Sequence, residues 1–456
     1  MKILNPNLYT DFDGDKAVKD LSNAIKFKTI SYIDVSKYDY EEFNKLHNYL
    51  KEAFPLLTSK ATVEVVNKGS MIFHLKGTDK ALKPAIFMAH MDVVPVVKGT
   101  EDDWKHDAFS GYIDEKYVWG RGALDTKCMV IGELSAIEYL LSKGFTPKRD
   151  IYFCYGHDEE TQGVAGQWAI SRLLKQRGVE AEYVIDEGSG FVSAKKYGAP
   201  NITINPVGVF EKGYLDVKVT AKSAGGHSSN PGKGSSLAYV CKAVAKIEEN
   251  QFEAFLPKAL KDTFLILKDY IEVEPLKTYI DNIDKYEKEL VEYCYNDYAL
   301  NPFVHTTVAT TMLDGGSQGA NVLPQTVVAN INLRTSEKDS IPSIIAKYKE
   351  ITDNVEISYQ GGLEPSLCSD VSTYGFKLIQ ATVDKFVEDA KVVPVLICGG
   401  TDARYYDDLT TSSFRFTPYI YDEKLSVTVH ATDERIEKEG FIYGIKMFID
   451  LIKESC

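Results

Sequence analysis

Between about residues 84 and 187, short apolar runs alternate with helical patterns, and no other feature of this 456-residue chain constrains the fold as strongly. "AIFMAHMDVV" reads as a strand, "MVIGELSAIEYLLSKG" as an amphipathic helix stopped by Gly144, and "IYFCYG" as a strand. "QGVAGQWAISRLLKQRG" is again helical, stopped at Gly178, and "AEYVID" is strand-like. Strands that alternate with helices predict an α/β sheet covered by helices. The length predicts two or three domains rather than one core.

The texture changes near residue 207. "YLDVKVTAKS" alternates with period two, as a half-exposed antiparallel strand does, and "SSLAYVCKAVAKIEEN" follows as a helix. Residues 251 to 300, rich in Tyr, Lys and Glu at helical spacing, read as a helical insertion. "VHTTVATTML" and "VVANINLRTS" are β-rich, "IPSIIAKYKEITD" is helical, and "VEISYQ" closes the segment. The α/β texture then returns with "YGFKLIQATVDKF", "VVPVLI" and "FIYGIKMFIDLIKES". The expected division is a catalytic domain of 1–206 and 360–456, with an α+β domain spliced in at 207–359.

Composition narrows the partners. Lys and Arg number 52 against 66 acids, a formal charge of −14 without an acidic tail, which argues against nucleic acid or an anionic membrane surface. No run approaches the roughly eighteen apolar residues of a membrane span, and the N-terminus lacks the apolar core of a signal peptide. Seven cysteines without a CxxC pair suggest a reducing, cytoplasmic setting.

Five acid or histidine clusters stand out. In "AHMDVVP", His90 and Asp92 are two apart on a strand and leave the same face, so the carboxylate could fix one ring nitrogen and free the other for a metal. A strand-end histidine beside a solvated acid is the competing explanation. Asp125 in "WGRGALDTKCMV" directly precedes a helix, where an N-cap is the simpler role. Glu159 and Glu160 in "GHDEETQG" are consecutive, so one could hold a metal while the other faces a water. Acidic pairs are common, roughly nine or ten by chance at this composition, so the stretch alone carries little. "VIDEGSG" places Asp186 and Glu187 at the end of another apolar run, and "SVTVHATDERI" ends an alternating strand on His430. Four of the five clusters fall at the carboxyl ends of strands, the rim where open α/β sheets bind ligands. Two histidines with three or four carboxylates suit a pair of Zn²⁺ ions, with Mn²⁺ or Co²⁺ as substitutes.

"HMDVVP", "GRGALDTK", "DEE", "DEG" and "HATDE", in this order, resemble the M20 co-catalytic zinc peptidases. "LSNAIKFKTIS", "VFEKGYLDVKV" and "GGTDARYY" lean toward the carboxypeptidase S and aminoacylase-1 branch. The resemblance implies a mixed-sheet α/β catalytic domain with an inserted ferredoxin-like α+β lid. It makes Asp125 the bridging metal ligand, joined by His90 and either Asp186 or Glu187 on one side and by Glu160 and His430 on the other. Asp92 would orient His90, and Glu159 would be the general base. His227, in "KSAGGHSSNP", would stabilise the oxyanion across a closed cleft or a dimer. Asn321, Arg334, Gly400 and Arg404 would meet the free carboxylate of the substrate. His157 departs from the family pattern, in which a small residue is commoner there. The implied activity is hydrolysis of an amide in a short peptide or N-acyl amino acid, by a carboxypeptidase, dipeptidase or aminoacylase. The resemblance leaves a homodimer through the lid open, and the sequence does not decide the oligomeric state.

Overall fold

The computed structural model describes residues 3–456. Its large sheet has nine strands. Ala85–His90 lies at the centre, parallel to Ile151–Gly156 on one side and to Tyr183–Asp186 on the other. Ser413–Arg415 runs parallel to Tyr183–Asp186, and Ala390–Ile397 runs parallel to Thr203–Glu211 at the edge. Thr62–Val66 and Ser70–Leu75 add antiparallel strands beside Ile151–Gly156, so the sheet is mixed.

Every residue of the three central strands is buried, as strands covered on both faces must be. Alternation along Ala85–His90 divides its side chains between two cores. Ala85, Phe87 and Ala89 join the main core, while Ile86 and Met88 pack with Ile170 and Leu174 of the helix Gln167–Gln176 on the other face. The helix Lys127–Ser142 is not amphipathic as its sequence suggested. It is buried almost all round, because Gly14–Ile25 and Lys438–Ser455 cover the side away from the sheet. Gly144 does end it, at φ 79°, with Phe145 N–H returning to the Leu140 carbonyl.

The smaller sheet is antiparallel, ordered Thr307–Asp314, Thr326–Thr335, Gly213–Lys222, Glu356–Tyr359. With the helices Ser236–Glu249 and Ile341–Ile351 the chain order is strand, helix, strand, strand, helix, strand, the split βαβ arrangement of ferredoxin-like domains. Leu215, Val217, Val219, Ile331 and Leu333 form its core with Val240, Ile247, Ile344 and Tyr348.

One boundary and one packing partner differ from the sequence-based expectation. Thr203–Glu211 belongs to the large sheet, so the chain crosses into the small one at Lys212 rather than near 207. The helical segment also lies elsewhere than expected. Leu260, Phe264 and Leu267 of the helix Lys258–Leu267, with Leu290 and Cys294 of Glu287–Asn296, pack into the core of the large body. The first of these helices covers the edge strand of that body, where Thr263 Oγ1 donates to the Pro394 carbonyl. An uncovered edge strand would present unpaired backbone groups, and the insertion meets that need.

Candidate metal centre and its cleft

The parallel register brings the ends of three strands to one rim. His90 pairs with Gly156, and the chain beyond Gly156 turns once through Glu159–Thr161. The neighbouring strand ends at Asp186, and Glu187 follows it onto the rim. Asp125 does not cap the helix behind it, because Thr126 occupies that position. The Asp125 carboxylate instead reaches two imidazoles. Its Oδ1 lies 3.1 Å from His90 Nε2 and its Oδ2 3.1 Å from His430 Nε2. His90 Nε2 is also 3.3 Å from Glu187 Oε1, and His430 Nε2 is 2.9 Å from Glu160 Oε2.

Two groups of three donors result, each within 4.8 Å: His90, Asp125 and Glu187, and Asp125, Glu160 and His430. Asp125 belongs to both. The donors are hard carboxylate oxygens and imidazole nitrogens, a set that fits divalent cations such as zinc. The carboxylates attract protons onto the rings. Hydrogen bonds to Asp125 and Glu160 lift His430 to about 10. Burial opposes a charge on His90, yet Glu187, Asp125 and Asp92 together hold its pKa well above the ordinary value.

Asp92 lies beneath this cluster, fully buried. His90 Nδ1 is 2.9 Å from the Asp92 carbonyl and 3.5 Å from its carboxylate, which fixes the ring with Nε2 toward Asp125. The Asp92 carboxylate itself accepts from the N–H groups of Glu159 at 3.2 Å and Glu160 at 3.3 Å. It therefore holds the turn as well as the ring. Glu159 projects into the cleft beside Glu160, and its pKa is raised chiefly by burial, with Glu187, Asp402 and Glu160 adding to the effect against His90.

The geometry separates Asp186 from Glu187. Asp186 is not in the cluster. Its carboxylate accepts from Ala403 N–H and Glu187 N–H, both at 2.9 Å, because it turns into the sheet while the next residue turns out. His157 is also explained. It is buried, with Nδ1 2.6 Å from Ser70 Oγ and its ring among Tyr38, Tyr40 and Phe43, so it packs the turn from behind. Asp158 ties the same turn by accepting from Ala165 and Gly166 N–H. His430 does not end a strand. Glu423–Thr428 is a 3-10 turn, and His430 sits at φ 60° before the strand Arg435–Glu437.

Beside the cluster opens a cleft of about 310 Å³ whose wall includes Arg334, Gly400, Arg404 and Tyr214. Arg334 stacks on Tyr214 at 4.8 Å and makes one long bond, 3.4 Å, to the Cys398 carbonyl. No carboxylate pairs with it among the described residues, so its guanidinium remains available. Arg404 is held by buried Glu211 at 3.3 Å and donates to the Lys212 carbonyl. Two expected residues stand apart from this cleft. His227 is exposed on a two-residue ladder with Val322–Leu323, bonded through Nδ1 to Ser229 Oγ at 2.8 Å, and Asn321 is exposed beside it. The sequence reading left out Glu434, the last acid of "HATDE", and Asp402, a buried acid of the cleft wall in "GGTDARYY".

Known families bear on this site. The family described as Peptidase family M20/M25/M40 matches residues 86–454. The chain belongs to this family. Over its whole length it is 33% identical to the "Probable carboxypeptidase S-like 2" of Dictyostelium discoideum, covering 88% of that protein. It is 31% identical to the "N-fatty-acyl-amino acid synthase/hydrolase PM20D1" of Mus musculus, over 96% of this chain and 88% of that one. Among solved structures, the M20 family metallo-carboxypeptidase Sso-CP2 from Sulfolobus solfataricus superposes with a TM-score of 0.66 at 21% identity, over 96% of this chain and 98% of that one. This M20 protein is thus a hydrolytic enzyme of the carboxypeptidase S branch. M20 metallopeptidases depend on metal, and the cluster around Asp125 is the candidate place for it.

Proposed function

We propose that this enzyme uses two divalent cations, zinc by donor chemistry, to hydrolyse an amide bond in a short peptide or N-acyl amino acid with a free carboxylate. The observation that carries this reading is the Asp125 carboxylate, divided between two histidines that each bring a further carboxylate. His90 and Glu187 would hold one cation, Glu160 and His430 the other, with Asp125 between them. Bound there, the cations would polarise the amide carbonyl and make a water acidic enough to attack near neutral pH.

The protein's own residues do the rest. Glu159, raised in pKa and facing the cleft, takes the proton of the attacking water and passes it to the leaving amine. Arg334 receives the substrate carboxylate, a planar fork suited to bidentate capture, and Arg404 with the open backbone at Gly400 borders the same end. His227 acts from the small domain, on the oxyanion, when that domain closes or a second copy docks.

Glu159→Gln tests the assignment of the base. The variant is expected to keep its metal content and lose about 10²–10⁴-fold in kcat toward dipeptides and N-acetyl amino acids. Unchanged hydrolysis would contradict the mechanism.

A further inference from the structure

The shared ligand is itself held by a buried ion pair. Glu434 is fully buried, and its Oε1 accepts from the backbone N–H of Leu124 at 2.9 Å and of Asp125 at 3.0 Å. Its Oε2 pairs with Arg121 Nη1 at 2.6 Å, and Arg121 is 2% exposed under the ring of Trp104. The Glu434 carbonyl also accepts from Gly120 N–H at 2.8 Å. One residue thus gathers the 120–125 loop at three backbone positions, one of them Asp125. It stands four residues beyond His430, on the segment that continues into Arg435–Glu437 against Tyr117–Trp119. Glu434 touches none of the five clustered donors through their side chains.

We propose that Glu434 is a positioning residue that fixes the Asp125 carboxylate relative to His430, and so sets the affinity of the centre for its cations. The inference rests on the metal reading above. Asp125 must present one oxygen to each side. The loop is tied on either side of it by Ala123 N–H to the Gly120 carbonyl and Lys127 N–H to the Gly122 carbonyl, but the N–H of Asp125 itself is held by Glu434. A carboxylate suits the task because it accepts two N–H groups and a guanidinium at once. A glutamine can serve the N–H groups but then turns its NH₂ toward Arg121, placing donor against donor. Relief of that conflict displaces the loop that carries Asp125.

The test is zinc binding by calorimetry on the full chain, with kcat and KM measured in parallel. Glu434→Gln is expected to weaken zinc binding about 10- to 100-fold, the range usual for residues that hold a metal ligand in place, and to lower kcat with little change in KM. Asp450→Asn serves as control for the loss of a buried carboxylate from an ion pair away from the site. That carboxylate meets Lys385 at 2.5 Å on Lys438–Ser455, and its variant should bind zinc as the unsubstituted enzyme does. Should Glu434→Gln not fold, Arg121 decides: Arg121→Met should lose zinc affinity and Arg121→Lys should recover part of it. Absence of zinc binding by the unsubstituted enzyme overturns the metal reading. Two-site binding left unchanged by Glu434→Gln, or by Arg121→Met where that is the variant in hand, overturns the positioning role alone.

Discussion

The rim of the large sheet and the separate two-stranded ladder that carries His227 both hold expected site residues, but only the rim is assembled. His90, Glu160 and Glu187 are set by buried parallel strands whose register leaves little freedom, and their donors already lie within 4.8 Å of Asp125 or His430. His227 and Asn321 sit on an exposed ladder two residues long, entered through Gly225 and Gly226 at φ 70° and 127°. Burial on both sides fixes a side chain in advance, whereas an exposed hairpin has to be carried to its target. On the proposed function, the contrast separates metal binding, assigned to the rim, from steps assigned to the small domain.

His227→Ala sharpens the comparison most. It is expected to lower kcat about 10²–10³-fold, the usual effect of losing an oxyanion donor, with zinc affinity unchanged. An unaltered kcat would confine the chemistry to the rim. Arg334→Met should have a smaller effect, about 10- to 100-fold in kcat/KM, through KM, from a lost charged hydrogen bond of about 1.5–3 kcal/mol. The effect should vanish for substrates whose carboxylate is amidated, and an equal loss on both would contradict the assignment.

A graded effect, about tenfold at each step, concerns pH. His430 is raised from 6.5 to about 10 by Asp125 and Glu160, so in the metal-free protein its stabilisation is complete below about 6.5 and is lost as pH rises toward 10. Zinc on the His430 side must displace that proton, so the affinity of that site should rise by about tenfold per pH unit below pH 10, and His90, also raised, gives the other site a dependence of the same sign. Calorimetry at pH 6, 7 and 8 would show it, and a flat profile would place the metal away from His430.

The sequence made the rim legible because strands buried on both faces read as continuous apolar runs, and the acids stand where those runs stop. Asp186 and Glu187 could not be separated that way. Consecutive residues diverge at a strand end, and which one turns outward depends on where the ladder with Ser413–Arg415 stops. The domain crossing was hidden because Thr203–Glu211 and Gly213–Lys222 are both strands, parted only by Lys212. "SVTV" alternates as a strand would, yet Ser426, Val427 and Thr428 fall in the 3-10 turn Glu423–Thr428, and alternation over so few residues does not separate the two. The helices after Lys258 are amphipathic, and amphipathicity does not say which body they cover. Glu434 escaped notice because its partners are the backbone of a loop more than 300 residues earlier, reached only through the tertiary fold.

Anomalous X-ray scattering at the zinc edge, from crystals of the zinc-loaded enzyme, tests the central claim most directly. Two peaks are predicted, both in contact with Asp125, one also with His90 and Glu187 and the other with Glu160 and His430. A single peak, or a pair that leaves Asp125 free or takes Asp186 in place of Glu187, would contradict it.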